Sequence, residues 1–192
     1  MIGLEGKTLQ SARLTYRLLK EEDKSSLYAL LNDASVTVPA GFLPAKSKEA
    51  FETFFSDLTK YNTGIALLHH QQLIGYLHVN KYKTNQPEFS GKQCVGVGFV
   101  IGRAYQRQGF GTEALTYLTE YLLNRFDACF ADHFQENLPS KRTIENSGYT
   151  HFEDYAMYFD GIKQEKNCAS YVRRAQGVPS ELGRAEAGAR RG

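Results

Sequence analysis

The sequence predicts a mixed α/β (α+β) fold, and three observations carry that prediction. Two pairs of strand-like runs, Gly64–Leu68 with Leu73–Asn80 and Thr150–Phe159 with Lys163–Val172, are joined by short polar turns and read as antiparallel hairpins. Two stretches, 47–58 and 112–126, repeat their apolar residues at helical spacing. The apolar run Cys94–Ile101 leads into a glycine-bearing turn that opens the second of those helices.

In chain order, residues 13–19 alternate roughly as a first strand. Glu21, Glu22 and Asp23 suit a helix N-terminus, where the dipole is positive, and Leu27, Leu30 and Leu31 supply that helix's apolar face. Thr37–Pro44 holds two prolines and a glycine and reads as a loop. Ser47 caps the next helix, whose apolar face is Phe51, Phe54, Phe55 and Leu58. After the first hairpin, Lys81–Lys92 is a polar, exposed connection containing Pro87 and Gly91. Gly96 and Gly98 interrupt the strand Cys94–Ile101, a pattern of bulges or close backbone approach. Leu115, Leu118, Leu122 and Phe126 share one face of the helix that follows. Ala128–Ala131 reads as a short strand, and the last helix runs from Pro139 to Gly148. Residues 1–175 are expected to form one domain. Residues 176–192, rich in Gly, Ala, Arg and Glu, have little to bury and read as a disordered tail or an appended remnant.

Composition narrows the function classes. The 192 residues are 42% hydrophobic and 23% charged, enough for one core but short for two typical enzyme domains. A net charge of +2 argues against nucleic acid or an anionic membrane as partner. No apolar run approaches the ~20 residues that span a bilayer, and Met1–Gln10 carries no leader-like segment. Cys94, Cys129 and Cys168 form no CxxC pair and no disulfide framework. The expectation is a cytoplasmic protein without a metal.

The chemistry points to Gln106-Arg107-Gln108-Gly109-Phe110-Gly111. Between a buried strand and a helix, two glycines let the backbone turn tightly and approach a ligand. The first helix amides lack intrahelical partners and face the positive end of the dipole, which makes a socket for phosphate oxygens. Arg103 and Arg107 stand at its rim. This spacing is neither a dinucleotide fingerprint nor a P-loop.

The stretch 97–114 resembles the acyl-CoA signature of the GNAT superfamily of N-acetyltransferases, Gln/Arg-x-x-Gly-x-Gly/Ala, met by Gln106, Gly109 and Gly111. A second stretch, Asn137-Leu-Pro-Ser140 through Glu145-Asn-Ser-Gly148-Tyr149, is similar to a motif of one branch of that superfamily. That branch holds the ribosomal-protein N-terminal (alanine/serine) acetyltransferases and their small-molecule-modifying relatives. Arg13–Arg17 and Glu21–Asp23 look like its opening, so the resemblance covers roughly residues 9–172.

The resemblance implies a V-shaped, mostly antiparallel mixed sheet flanked by helices. Acetyl-CoA as co-substrate would enter between the fourth and fifth strands, Cys94–Ile101 and Ala128–Ala131. Backbone groups of Phe99, Val100 and Ile101 would bond the pantetheine arm, and the amides of Gln106, Arg107, Gln108, Gly109, Phe110, Gly111 and Thr112 the pyrophosphate. Asn137 would bond the pantetheine, or simply cap its helix. Ser140 would stabilise the leaving thiolate as the catalytic hydroxyl, or be an ordinary exposed helix residue. The acceptor would be a primary amine of a small molecule or a protein N-terminus, approaching from the other side near Val36–Phe42, with Phe42 shaping its pocket. A catalytically degenerate acyl-CoA-binding regulatory module is the alternative, and a homodimer stays open.

Two positions depart from the family pattern. Gly96 stands where many relatives have a glutamate base, and Ile144 where another branch has a tyrosine acid. His78, His133, Glu136 and Glu153 remain as candidate bases, each of which also reads as a core or surface residue, and none is expected to be indispensable. Tyr16 and Arg17 read as structural.

Overall fold

The computed structural model describes residues 2–41, 47–160 and 162–177. Phe42 and the tail from residue 178 onward lie outside the described residues. Eight strands form one sheet: β1 (Thr8–Gln10), β2 (Thr15–Leu18), β3 (Gly64–His69), β4 (Gln72–Tyr82), β5 (Cys94–Ile101), β6 (Ala128–Phe134), β7 (Thr150–Phe159) and β8 (Gln164–Arg174). Their order is β1-β2-β3-β4-β5-β6-β8-β7. Every neighbouring pair is antiparallel except β5 and β6, which are parallel. The helices are α1 (Lys24–Leu31), α2 (Ala34–Thr37), α3 (Lys48–Lys60), α4 (Phe110–Leu123) and α5 (Leu138–Asn146). This is the mixed, mostly antiparallel sheet flanked by helices that the sequence predicts.

The parallel pair is where the sheet parts. Its register covers only Cys94↔Ala128, Val95↔Cys129 and Gly96↔Phe130, although β5 runs on to Ile101 and β6 to Phe134. Past those three pairs the ladder stops and the strands open as a V.

Alternation along the strands sorts their side chains onto two faces. Leu77, Val79, Val95, Val97, Cys129 and Ala131 pack into one core with Leu115, Leu118 and Leu122 of α4 and Ile144 of α5. Tyr76 and Val100 point the other way, against Leu27 and Leu31 of α1 and Phe51, Phe55 and Leu58 of α3. On β6, Phe130 also points that way, into a third cluster with Phe89 and Tyr82. Its ring stacks on Tyr82 with centroids 4.0 Å apart. Ser47 caps α3 as expected, accepting the Ala50 amide at 3.1 Å. Tyr16 is fully buried, and Arg17 donates to Asp23 at 2.6 Å to tie β2 to the start of α1, so both serve the fold.

Several boundaries differ from the sequence reading. Strand β1 is absent from it because three residues with little burial carry no readable period; β1 is held by pairing with β2 and by Leu9 against the core. The segment read as a loop from Thr37 is preceded by α2, whose start Asp33 caps through the Ser35 amide at 2.9 Å, and continues as the tight turn Val38–Ala40. Strand β6 extends three residues beyond Ala131, and this matters most for the site.

Candidate active site

The parting of β5 from β6 opens a cleft of about 780 Å³ that reaches from the start of α4 to the opposite face of the sheet. At the α4 end the chain reverses through Arg107 (φ 60°) and Gly109 (φ 80°). The first helical bond into α4 joins the Glu113 amide to the Gly109 carbonyl at 3.0 Å. The amides from Gly109 to Thr112 therefore precede the helical ladder, at the positive end of the dipole. Such an array accepts anionic oxygens. Gly111 lies against α5, where a Cβ would stand 3.4 Å from Thr143 Cγ2. Arg107 and Arg142 line the same cleft.

The turn is braced from the connection between β1 and β2. Arg13 donates to the Gln108 carbonyl at 3.0 Å and to Glu113 Oε2 at 2.6 Å, and its guanidinium lies 4.2 Å from the Phe110 ring centroid. Glu113 also accepts the Ser11 hydroxyl and the Arg13 amide, each at 2.7 Å. Burial alone would raise the Glu113 carboxyl, but these donors and the Arg13 charge outweigh it and hold it below the usual carboxylate range. The sequence reading missed this brace, because Arg13 and Glu113 are 100 residues apart.

Along β5 the backbone alternates between its two neighbours. Gly102 donates to the Ile74 carbonyl of β4 at 2.8 Å, so the even-numbered residues, Val100 among them, turn their amides and carbonyls to β4. Val97, Phe99 and Ile101 turn theirs to the split. The Ile101 carbonyl is taken by the Gln106 side chain at 2.9 Å. Of the expected Phe99–Ile101 set, Phe99 and the Ile101 amide thus face the split, while Val100 is spent within the sheet.

Most of the other sequence-derived candidates also come together. Phe99, Val100, Ile101, Gln106, Arg107, Gly109, Gly111, Thr112, Asn137, Ser140, His78 and His133 all line the cleft, and Gln108, Phe110, Glu136 and Glu153 do not. The Phe110 side chain is buried in the core beneath Arg13, and the Gln108 side chain folds back onto the Ala104 carbonyl at 2.8 Å. Asn137 uses both ends within the chain. Its oxygen caps α5 at the Ser140 amide (3.2 Å) and its amide donates to the Pro39 carbonyl (2.7 Å), so the geometry displays the capping reading. Ser140, one turn into α5, lines the cleft with its hydroxyl unpaired among the described residues. Glu136 is exposed and bonded to Lys166 at 2.6 Å, which holds it ionised below the usual range. Ile144 is fully buried, so its position offers the cleft no acid.

The two histidines of the cleft have different surroundings. Burial pushes His78 down. His133 donates Nδ1–H to the Phe134 carbonyl at 2.7 Å, since a carbonyl only accepts, and its buried Nε2 has no partner among the described residues.

Asp132 is the residue that sequence reasoning missed. It lies on β6 one residue beyond the predicted strand end, and by alternation it shares the face of Phe130, opposite α4 and α5. It lines the cleft, and its side chain is exposed there. Desolvation by the cleft walls pushes it above the ordinary aspartate range; the Ser170 and Tyr155 hydroxyls offset this only in part, and Glu153 adds to it. Near it, the Tyr82 hydroxyl lies 3.3 Å from Ser170 Oγ. Strand alternation would have found Asp132 had β6 been read to its full length. The wall facing it is built by α2 and the Val38–Ala40 turn, from which Ser35, Val36, Pro39 and Ala40 reach the cleft. Gly41 ends that turn at φ 81°, where a Cβ would stand 2.9 Å from the Phe134 ring, so glycine is required.

The chain's residues 13–150 match the family model "Acetyltransferase (GNAT) domain". The chain belongs to the GNAT acetyltransferase family. Its fold is similar to that of a GNAT-family acetyltransferase from Bacillus anthracis, with a TM-score of 0.75 at 16% identity over 88% of this chain and 99% of that one. It is similar to spermidine N-acetyltransferase from Vibrio cholerae, solved with CoA and spermine, at TM-score 0.71 and 15% identity over 88% and 99%. It is also similar to RimL, a ribosomal L7/L12 α-N-protein acetyltransferase solved with coenzyme A, at TM-score 0.70 and 16% identity over 88% and 98%. No curated protein sequence matches the chain. Among the described residues no helix is long and apolar enough to cross a membrane, and no group of three His, Cys, Asp or Glu side chains is placed to hold a metal ion.

Proposed function

We propose that this chain is an N-acetyltransferase that moves the acetyl group of acetyl-CoA to a primary amine, acting as one domain over residues 1–175 in the cytoplasm. The observation that carries the reading is the parting of β5 from β6 directly beside the start of α4. That arrangement offers a row of unpaired backbone groups ending at a socket of free amides, which matches a polar, amide-bearing arm ending in a pyrophosphate. Arg107 and Arg142 add positive charge for the phosphates. The Val97 carbonyl, Phe99 and the Ile101 amide would bond the pantetheine, and the amides of Gly109–Thr112 the pyrophosphate. Ser140 would donate its hydroxyl to the leaving thiolate. Similar structures solved with CoA, the spermidine N-acetyltransferase and RimL, support the ligand.

The acceptor is a small molecule or a protein N-terminus entering from the face opposite α4 and α5. Titration calorimetry with CoA, followed by free-thiol release from acetyl-CoA across an amine panel, tests the reading. Micromolar CoA binding with amine-dependent thiol release is the expected result. CoA binding without thiol release for any amine would make the chain a regulatory acyl-CoA-binding module instead.

A further inference from the structure

We propose that Asp132 seats the acceptor's ammonium and takes its proton, and that the acceptor is a monoamine. The inference rests on the transferase reading above and adds the residue and the substrate class.

The charge of the cleft selects the class. Among the described residues that line it, Asp132 is the one carboxylate, against Lys81, Arg107 and Arg142. A polycationic acceptor would need several carboxylates to offset its charge and would meet repulsion here. An anionic co-substrate and a single ammonium satisfy both signs. Tyr82, Tyr155, Met157 and Phe159 line the acceptor side along with the polar Ser35, His78 and Asn80, and the rings and Met157 suit an amine with an apolar body.

Position selects the role. The last β5–β6 pair is Gly96↔Phe130, and Asp132 stands two residues beyond Phe130 on the same face, at the mouth of the split. Gly96 presents no side chain, which leaves the space between the strands open to an incoming amine. The groups facing Asp132 are Tyr82 from β4, Tyr155 and Glu153 from β7, Ser170 from β8 and the neighbouring His133. Glu153 raises the carboxyl further, and both tyrosines are themselves held protonated by burial, so each can donate a hydrogen bond without competing for the proton.

The step balances as follows. The ammonium passes one proton to the Asp132 carboxylate and becomes a neutral amine. Its nitrogen lone pair forms the C–N bond to the thioester carbonyl carbon as the C–S bond breaks. The leaving sulfur ends as the thiol with the second nitrogen proton, the amide keeps the third, and Asp132 returns its proton to water. A carboxyl raised toward neutrality is better matched to this transfer than an ordinary aspartate.

The test uses the full chain and Asp132→Asn, with phenethylamine, an alanine-initiated peptide and spermine as probes for thiol release from acetyl-CoA. Expected for the parent is faster turnover of the two monoamine probes than of spermine. Expected for Asp132→Asn is a loss in kcat/KM on the order of a hundredfold, with CoA affinity unchanged. The parent's rise of kcat/KM with pH should lose its carboxylate inflection in the variant, and Asp132→Glu should recover part of the rate. Thermal stability should hold in Asp132→Asn, because the side chain is exposed in the cleft; a merely structural Asp132 would show a fall. An active parent whose Asp132→Asn variant works within twofold of it, or which prefers spermine, overturns the proposal alone. A parent that binds CoA but releases no thiol with any probe overturns the transferase reading, and this proposal with it.

Discussion

Replacing Arg13 by alanine tests whether the phosphate socket is held from outside. Arg13 makes an ion pair with Glu113, but its side chain is 41% exposed, so solvent screening leaves that pair about 0.5 kcal/mol. Its hydrogen bond to the Gln108 carbonyl is charge-assisted and partly solvated, about 1 kcal/mol. The guanidinium over Phe110 contributes roughly 0.5–1 kcal/mol. Glu113 keeps the Ser11 hydroxyl and the amide of residue 13, so no buried charge is stranded. The loss is therefore about 2 kcal/mol, or roughly 4–8 °C in Tm for a domain of this size. Because the turn through Gln108 carries the amides that would hold the pyrophosphate, CoA affinity should weaken about tenfold, the equivalent of about 1.4 kcal/mol. Arg13→Lys should recover less than half of either effect, since an ammonium cannot bridge Glu113 and the Gln108 carbonyl as a fork does. Differential scanning fluorimetry and calorimetry with CoA measure both. An Arg13→Ala variant with parental Tm and parental CoA affinity would refute the brace.

Further outcomes follow from the same geometry. Ser140→Ala should lower kcat by about 2–4 kcal/mol of barrier while leaving acetyl-CoA binding nearly unchanged; turnover within twofold of the parent removes Ser140 from the chemistry. Gly109→Val places a β-branched residue at φ 80° and crowds Arg13, so both Tm and CoA affinity should fall, and an unchanged CoA isotherm would move the phosphate site elsewhere. The Glu113 carboxyl is held below the ordinary glutamate value of about 4.3. Its contribution is fully present above that value and is lost as pH falls through the lower folded one. The gap in stability between the parent and Glu113→Gln should therefore narrow below about pH 4; a gap independent of pH would count against the assignment.

The helices and long strands were legible because each repeats its apolar residues over many positions. Ser47 and Pro139 marked helix starts, and Cys94–Ile101 appears with the predicted ends. Errors gathered where burial is one-sided or the element is short. Strand β1 has three residues and no period. Strand β6 was cut at Ala131 because Asp132 and His133 look like the polar start of a loop, whereas antiparallel pairing with β8 carries the strand on to Phe134↔Cys168. That single boundary hid Asp132.

What the sequence determined by itself was the family, the class of fold and the position of the glycine turn that opens α4. Each depends on local chemistry: glycines that permit a left-handed turn, a helix that begins there, and spacing between two motifs. What only the tertiary structure decided is which groups are free to act. The Val100 backbone is consumed by β4, the Ile101 carbonyl by Gln106 and both ends of Asn137 by the Ser140 amide and Pro39. Asp132, unremarkable in the chain, becomes the one carboxylate among the described residues of the cleft. Hydrogen-bonding capacity and charge are properties of a residue, but their availability is set by neighbours distant in sequence, and only the packed chain brings those neighbours into reach.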